Sequence, residues 1–219
     1  MQLKGLKINF LGDSITEGVG VSSPDKIYHA LLKEESGLKE ARNYGISGTR
    51  YAVQKNPAEG SLVDVNSFSE RFDQMSDDAD VVVVFGGTND YGHGDAPLGG
   101  FSDRTPDTFY GACHYLYRGL IKKYLGKPII IMTPLHRENE TINTGSIKTV
   151  GVGTLKQYVD IIREVAEFYS LPVLDLYAQS GMQPDIEEIR QKYIPDGLHP
   201  CDEGHIVIAD KLKKFLEAL

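Results

Sequence analysis

Apolar positions along the chain alternate between two patterns. Short unbroken apolar runs at residues 81–85 and 128–132 lack the in–out alternation of a half-exposed strand, so they read as strands covered on both faces, and residues 6–11 read as a short, mostly apolar strand. A weaker run near residues 41–44 and another at 171–174 complete a set of five. Between them the apolar residues recur at helical spacing. Ile27, Ala30 and Leu31 mark one helix, and Phe109, Cys113, Leu116 and Leu120 a second. Leu155, Tyr158, Ile162, Val165 and Tyr169 mark a third, and Ile208, Leu212, Phe215 and Leu219 a terminal one. Residues 62–75 read as a further helix. Ser23-Pro24-Asp25 and Thr105-Pro106 look like helix starts with proline in the first turn, and Gly37 like a stop.

Strands interleaved with helices from end to end imply a three-layer α/β/α sandwich. Its five-stranded parallel sheet would be flavodoxin-like, in a single domain over residues 1–219. No repeat, linker or low-complexity tract divides the chain. Two stretches fit no element, a Gly-rich one at 91–104 and a polar one at 134–151. Each follows a predicted strand at its carboxyl end, where open α/β sheets place their ligands. The first of them reads as a substrate loop.

Composition narrows the function classes. With 31 acidic and 23 basic side chains the net charge is -8, which argues against nucleic-acid binding. Two cysteines, Cys113 and Cys201, with no C-x-x-C spacing make a disulfide framework or structural zinc site a poor fit, and Cys113 falls on an inward helix face as a buried, inert thiol. No apolar run is long enough to span a bilayer, and the amino-terminal segment lacks a secretory pattern. The chain therefore reads as cytoplasmic, with no membrane insertion. Glycine is in excess, 23 of 219 residues against a usual share of about 7%.

Several of these glycines frame chemistry-bearing residues. Gly12-Asp13-Ser14-Ile15-Thr16-Glu17-Gly18 follows the first strand and would hold Ser14 on a tight turn, as a nucleophile requires. A phosphate-gripping turn is the equal alternative for this segment alone. Near the other end, Asp196 precedes His199 by three residues on a turn broken by Gly197 and Pro200. The carboxylate can thus reach imidazole Nδ1 and leave Nε2 for a nucleophile. Asp175, after the last strand, is a rival acid. Gly86-Gly87-Thr88-Asn89-Asp90 follows the third strand and offers the Asn89 amide as an oxyanion donor, and Asn43-Tyr44-Gly45-Ile46-Ser47-Gly48 closes the second with the Gly48 N–H.

These four blocks, in this order and at strand ends, resemble the SGNH subgroup of the GDSL esterases and lipases. The match comprises Ser14 in G-D-S, Gly48 in the second block, Asn89 in G-x-N-D and His199 in D-x-x-H, and it spans nearly the whole chain. The resemblance implies hydrolysis of a small-molecule ester with no cofactor and no metal. Ser14 would be the nucleophile, His199 the base and then the acid, and Asp196 its orienter. The Ser14 and Gly48 N–H groups and the Asn89 amide would form the oxyanion hole.

Arg50, Tyr91 and His93 are candidates to contact substrate. Asp13, which with Asp90 reads first as a loop-stabilising acceptor, is set beside them. His205 lies too far from His199 in sequence for an evident metal pair, and Asn139-Glu140-Thr141 is an accidental glycosylation match. Polar residues at the predicted loop tips favour a small acyl group, such as acetyl, on a polar alcohol such as a carbohydrate. A lysophospholipase, a thioesterase, an acyltransferase with the same site, or a flavodoxin-like module holding a nucleotide or flavin phosphate are the alternatives.

Overall fold

The computed structural model describes residues 1–54, 67–143 and 153–219. Strands β1 (Lys7–Gly12), β2 (Glu40–Gly45), β3 (Val81–Phe85), β4 (Ile129–Met132) and β5 (Val173–Leu174) form one sheet in the order β2-β1-β3-β4-β5, every neighbouring pair parallel. The helices are α1 (Ser14–Glu17), α2 (Tyr28–Ser36), α3 (Phe68–Arg71), α4 (Thr88–Gly92), α5 (Phe109–Lys123), α6 (Leu155–Phe168), α7 (Leu176–Gln179), α8 (Glu187–Tyr193) and α9 (Asp202–Ala218). The expected three-layer, five-stranded parallel architecture is therefore present. Val82 and Val84 face a core built with α5 and α6, whereas Val81, Val83 and Phe85 face a second core built with α2 and α9. Two apolar layers, one on each face, explain why β3 shows no alternation.

Local differences have local causes. The Ser23-Pro24 start yields only a 3₁₀ turn, Pro24–Lys26, because the Ser23 hydroxyl donates to Asp25 rather than capping, and Ile27 is extended. Gly37 ends α2 in the left-handed conformation, as expected of a stop. Helix α5 starts after Thr108, whose hydroxyl accepts the Gly111 N–H, and not at Thr105-Pro106. Of the helix expected over 62–75, residues 62–66 lie outside the described residues. The remainder forms α3 and a 3₁₀ turn, Phe72–Gln74. The polar stretch at 134–151 is described only to residue 143.

Register is what places the site. Gly12 pairs with both Gly45 and Phe85, so β1, β2 and β3 end flush and their exit loops leave one edge together. That edge contains the switch point between β1 and β3, where the chain reverses its direction of travel across the sheet. Helix α1 packs directly on this edge. A Cβ on Gly45 would run into the backbone of Thr16 and Glu17, so only glycine permits the approach.

A buried arginine fastens the strand ends. Arg71 donates to the carbonyls of Tyr44 and Gly12, each at 2.6 Å, and to Thr49 Oγ1 at 3.0 Å, with its guanidinium 5.0 Å from the centre of the Phe68 ring. Burial lowers its pKa to about 10, against the nearby Asp13, so it stays charged at neutral pH.

Two buried histidines support α1 from below. His29 Nε2 lies 3.2 Å from the Thr16 carbonyl and donates to it, and His205 Nδ1 accepts the Tyr28 N–H at 3.1 Å. Burial pushes both down to about 4, and His29 lowers His205 further. Both are therefore neutral in the fold.

Two outcomes follow for stability. Arg71→Met should lower it by about 2–4 kcal/mol, because buried acceptors lose their donor; urea unfolding with an unchanged slope checks this. Because each histidine's folded pKa lies below its unfolded value of 6.5, its stabilising contribution is complete above pH 6.5 and is lost as pH falls towards 4. His205→Gln should therefore narrow its stability deficit relative to the parent by up to about 3 kcal/mol across that window, as read from urea midpoints at pH 7 and pH 4.5. A constant difference would contradict it.

Candidate active site

Ser14 is the first residue of α1, placed there by the turn Gly12-Asp13 at the end of β1. The Asp13 side chain caps the helix by accepting the Ile15 N–H at 3.0 Å. As the first helical residue, Ser14 presents an N–H that has no acceptor within the helix. Its hydroxyl lies 3.0 Å from His199 Nε2, across a sequence separation of 185 residues. His199 Nδ1 lies 2.7 Å from Asp196 Oδ2, while Asp196 Oδ1 accepts the N–H groups of Leu198 at 2.8 Å and His199 at 2.6 Å. A carboxylate on Nδ1 favours the tautomer that carries its proton there, which leaves Nε2 facing the Ser14 hydroxyl as an acceptor. Burial acts to raise the Asp196 pKa, but these hydrogen bonds outweigh it and hold the carboxyl below its usual range.

The turn carrying this pair depends on Gly197, which sits at φ 77° with a space already filled by Glu138. The serine and histidine loops are also tied directly. Ser22 donates its N–H (2.8 Å) and hydroxyl (2.6 Å) to the Asp202 carboxylate at the start of α9. Gly20, at φ 99°, lets the loop after α1 lie against the Pro200 carbonyl.

Gly48 occupies the loop after β2 at φ 75°, with open space where a side chain would be. This loop is held from three sides. Glu17, at the end of α1, accepts both the N–H and the hydroxyl of Ser47. Arg50 Nη1 donates to the Gly48 carbonyl at 3.3 Å, and Asn89 Nδ2 to the Thr49 carbonyl at 3.0 Å. Asn89 belongs to α4, which Gly87 opens at φ 106° directly after β3. Its neighbour Asp90 accepts the N–H groups of Tyr51 (2.9 Å) and Ala52 (3.0 Å), the loop-stabilising role expected of it.

The substrate-contact candidates separate. Tyr91 is fully buried, with its hydroxyl donating to the carbonyls of Asn139 and Ile142, so it is a core residue and not a pocket wall. Asp13 is also buried and lines a cavity of only about 10 Å³, room for about one water molecule. Burial and then the nearby Asp90 push its carboxyl up to about 7, against the Ile15 hydrogen bond and Arg71. Arg50 is buried beside Gly48, and only His93, 3.2 Å from Arg50 Nη1, is partly exposed. The expected substrate loop at 91–104 divides in the same way. Gly92 and Gly94 lie against Arg137 and Arg50, whereas Pro97 and Leu98 accept N–H groups from Phe109 and Tyr110 and dock on α5.

The rival acid Asp175 is committed elsewhere: it caps α7 and pairs with Arg163 at 2.8 Å. His205 lies in the core, Cys113 is buried with its thiol pushed well up by burial, and Cys201 caps no N–H with its side chain. Sequence reasoning missed Arg71 and Glu17, which hold the Gly48 loop, and Arg137, which donates to the Thr88 carbonyl and hydroxyl beneath α4. None of the three sits in a recognisable spacing, although Glu17 lies inside the serine segment. Among the described residues no group of three or more His, Cys, Asp or Glu converges as a metal site, and no helix is long and apolar enough to cross a membrane.

Solved structures share this fold. No curated protein sequence matches the chain significantly. A solved protein from Lactobacillus plantarum is 30% identical, with a TM-score of 0.84 and coverage of 98% of each chain. A possible lipase from Chitinophaga pinensis has the same fold at 23% identity and a TM-score of 0.67, covering 97% of this chain and 98% of its own. A two-domain esterase active on acetylated mannans matches at 21% identity and a TM-score of 0.61, over 99% of this chain and 50% of that one. The model of the GDSL-like lipase/acylhydrolase family matches residues 10–207, and with that span covering all four strand-end blocks the chain belongs to this family.

Proposed function

We propose that the protein is a serine esterase that works through an acyl-enzyme, with Ser14 as nucleophile, His199 as general base and then acid, and Asp196 as its orienter. The observation that carries this is the continuous relay from Ser14 Oγ to His199 Nε2 (3.0 Å) and from His199 Nδ1 to Asp196 (2.7 Å). In the first step Ser14 Oγ attacks the ester carbonyl while its proton passes to Nε2. The developing oxyanion takes N–H groups from Ser14, Gly48 and Asn89. The tetrahedral adduct collapses as the imidazolium returns the proton to the leaving alcohol. Water, deprotonated by the same nitrogen, then releases the acid. A phosphate-binding module has no use for this relay.

The preferred substrate on this reading is a short acyl ester, such as acetyl, of a polar alcohol such as a carbohydrate. Two features support it. Exposed Glu138 accompanies the histidine turn, its N–H donating to Gly197 O at 2.8 Å, and Arg50 with His93 flanks Gly48. Both borders of the site are thus polar, which suits a hydroxylated leaving group better than a long alkyl chain.

Ser14→Ala should abolish turnover of p-nitrophenyl acetate, and a fluorophosphonate should label the parent at Ser14, seen as a mass shift on that peptide. Asn89→Ala should lose about 10²–10³ in kcat with the fold retained. Wild-type rates in either variant would remove the assignment. Across a chain-length series of p-nitrophenyl esters, kcat/KM should peak at the shortest acyl groups, and an optimum at eight carbons or more would point to a lipid ester instead.

A further inference from the structure

Away from the catalytic groups, the outer face of α5 carries a half-open depression of about 360 Å³. This is within the roughly 300–1,000 Å³ range of small-molecule sites. Its wall is the stripe Tyr115, Arg118, Gly119 and Lys122, one helical face, and Arg104 and Phe72 close it from the sides. Gly119 has no Cβ, which allows the tip of the Phe72 ring to come up against the helix. Tyr115 meets that ring edge-on, with centroids 6.3 Å apart, and remains 45% exposed.

The charges here are concentrated in one place. The protein carries a net charge of -8, and many of its surface cations are paired with carboxylates, such as Lys123 of this helix with Asp77 in the loop before β3. Among the described residues, Arg118 and Lys122 have no ion-pair or side-chain hydrogen-bond partner, although they sit one turn apart where like charges repel. Arg104 donates to the carbonyls of Phe101 and Asp103 and lies over the Phe101 and Phe168 rings, with no ion pair among the described residues. Three cations thus border one depression beside His114 and the rings of Tyr115 and Phe72, with no carboxylate in its lining. Arginine forks and an ammonium match a phosphate dianion, and an exposed ring edge beside them matches a flat organic group.

We propose that this depression is a second binding site, separate from Ser14 and His199, for a small phosphate monoester that carries a planar ring. The phosphate sits among Arg104, Arg118 and Lys122, and the ring lies against Tyr115 and Phe72.

The probes are phenyl phosphate and inorganic phosphate, titrated calorimetrically into the full chain at pH 7.5, where a phosphate monoester is mostly dianionic. Phenyl phosphate should bind saturably at one site, more tightly than inorganic phosphate, and more weakly as salt rises. The double variant Arg118→Ala/Lys122→Ala, at exposed positions, should weaken it by about tenfold to a hundredfold. Tyr115→Ala should reduce phenyl phosphate to the affinity of inorganic phosphate, and Ser14→Ala should leave both unchanged. The proposal is overturned if phenyl phosphate does not bind by about 10 mM, or if it binds the double variant equally well. It also fails if inorganic phosphate binds as tightly as phenyl phosphate, or if the Arg118 and Lys122 substitutions instead dissolve a self-associated state, which would make the depression a contact between copies.

Discussion

Three segments of chain end at the guanidinium of Arg71, and the geometry of everything above the sheet depends on it. The carbonyl of Gly12 closes β1, that of Tyr44 lies at the end of β2, and Thr49 follows Gly48; one rigid planar fork donates to all three. Strand ends are where a parallel ladder runs out of partners, and buried carbonyls there need donors from elsewhere. A lysine would supply a point charge but not the fixed angle between two donors. The cation's burial is disfavoured on its own, and the Phe68 face and the nearby Asp13 offset part of that cost.

Above this fastening, the site is a set of loops tied to one another and not to any single frame. Glu17 joins the serine helix to the Gly48 loop, Asn89 joins that loop to α4, and Ser22 with Asp202 joins the serine loop to the histidine turn. Each tie uses a side chain on one exit loop and backbone on the next. The donors and acceptors are therefore aligned before any ligand arrives, which is the condition under which fixed dipoles act on developing charge without reorganising.

Much of this was legible in the sequence, and the exceptions share a cause. The unbroken apolar run of β3 and the 3.6-residue spacing of α5, α6 and α9 are properties of one segment facing one layer, so periodicity alone locates them. Ser14, Asn89, Gly48 and His199 stand out in the sequence as candidates because each lies in a short turn whose neighbours constrain its backbone. Arg71, Glu17 and Arg137 act across the fold, on carbonyls or N–H groups 27 or more residues away in sequence. No local pattern encodes which backbone atoms a long side chain will meet. Tyr91 failed as a pocket residue for a related reason: position after Asn89 suggested exposure, but α4 turns that ring inward against Tyr158. The short helices α1 and α4 were missed because four or five residues are too few to show a period.

The separation of 185 residues between the two atoms of the Ser14–His199 contact has a temporal consequence. During synthesis the serine, the Gly48 loop and the asparagine all emerge and can assemble on the sheet long before the histidine turn exists. On the proposed reading such a chain would hold the oxyanion donors without the base, and its serine would stay an ordinary hydroxyl. On that reading hydrolytic competence comes late, once the histidine turn ahead of α9 has docked beside Ser14 and α9 has packed on α2.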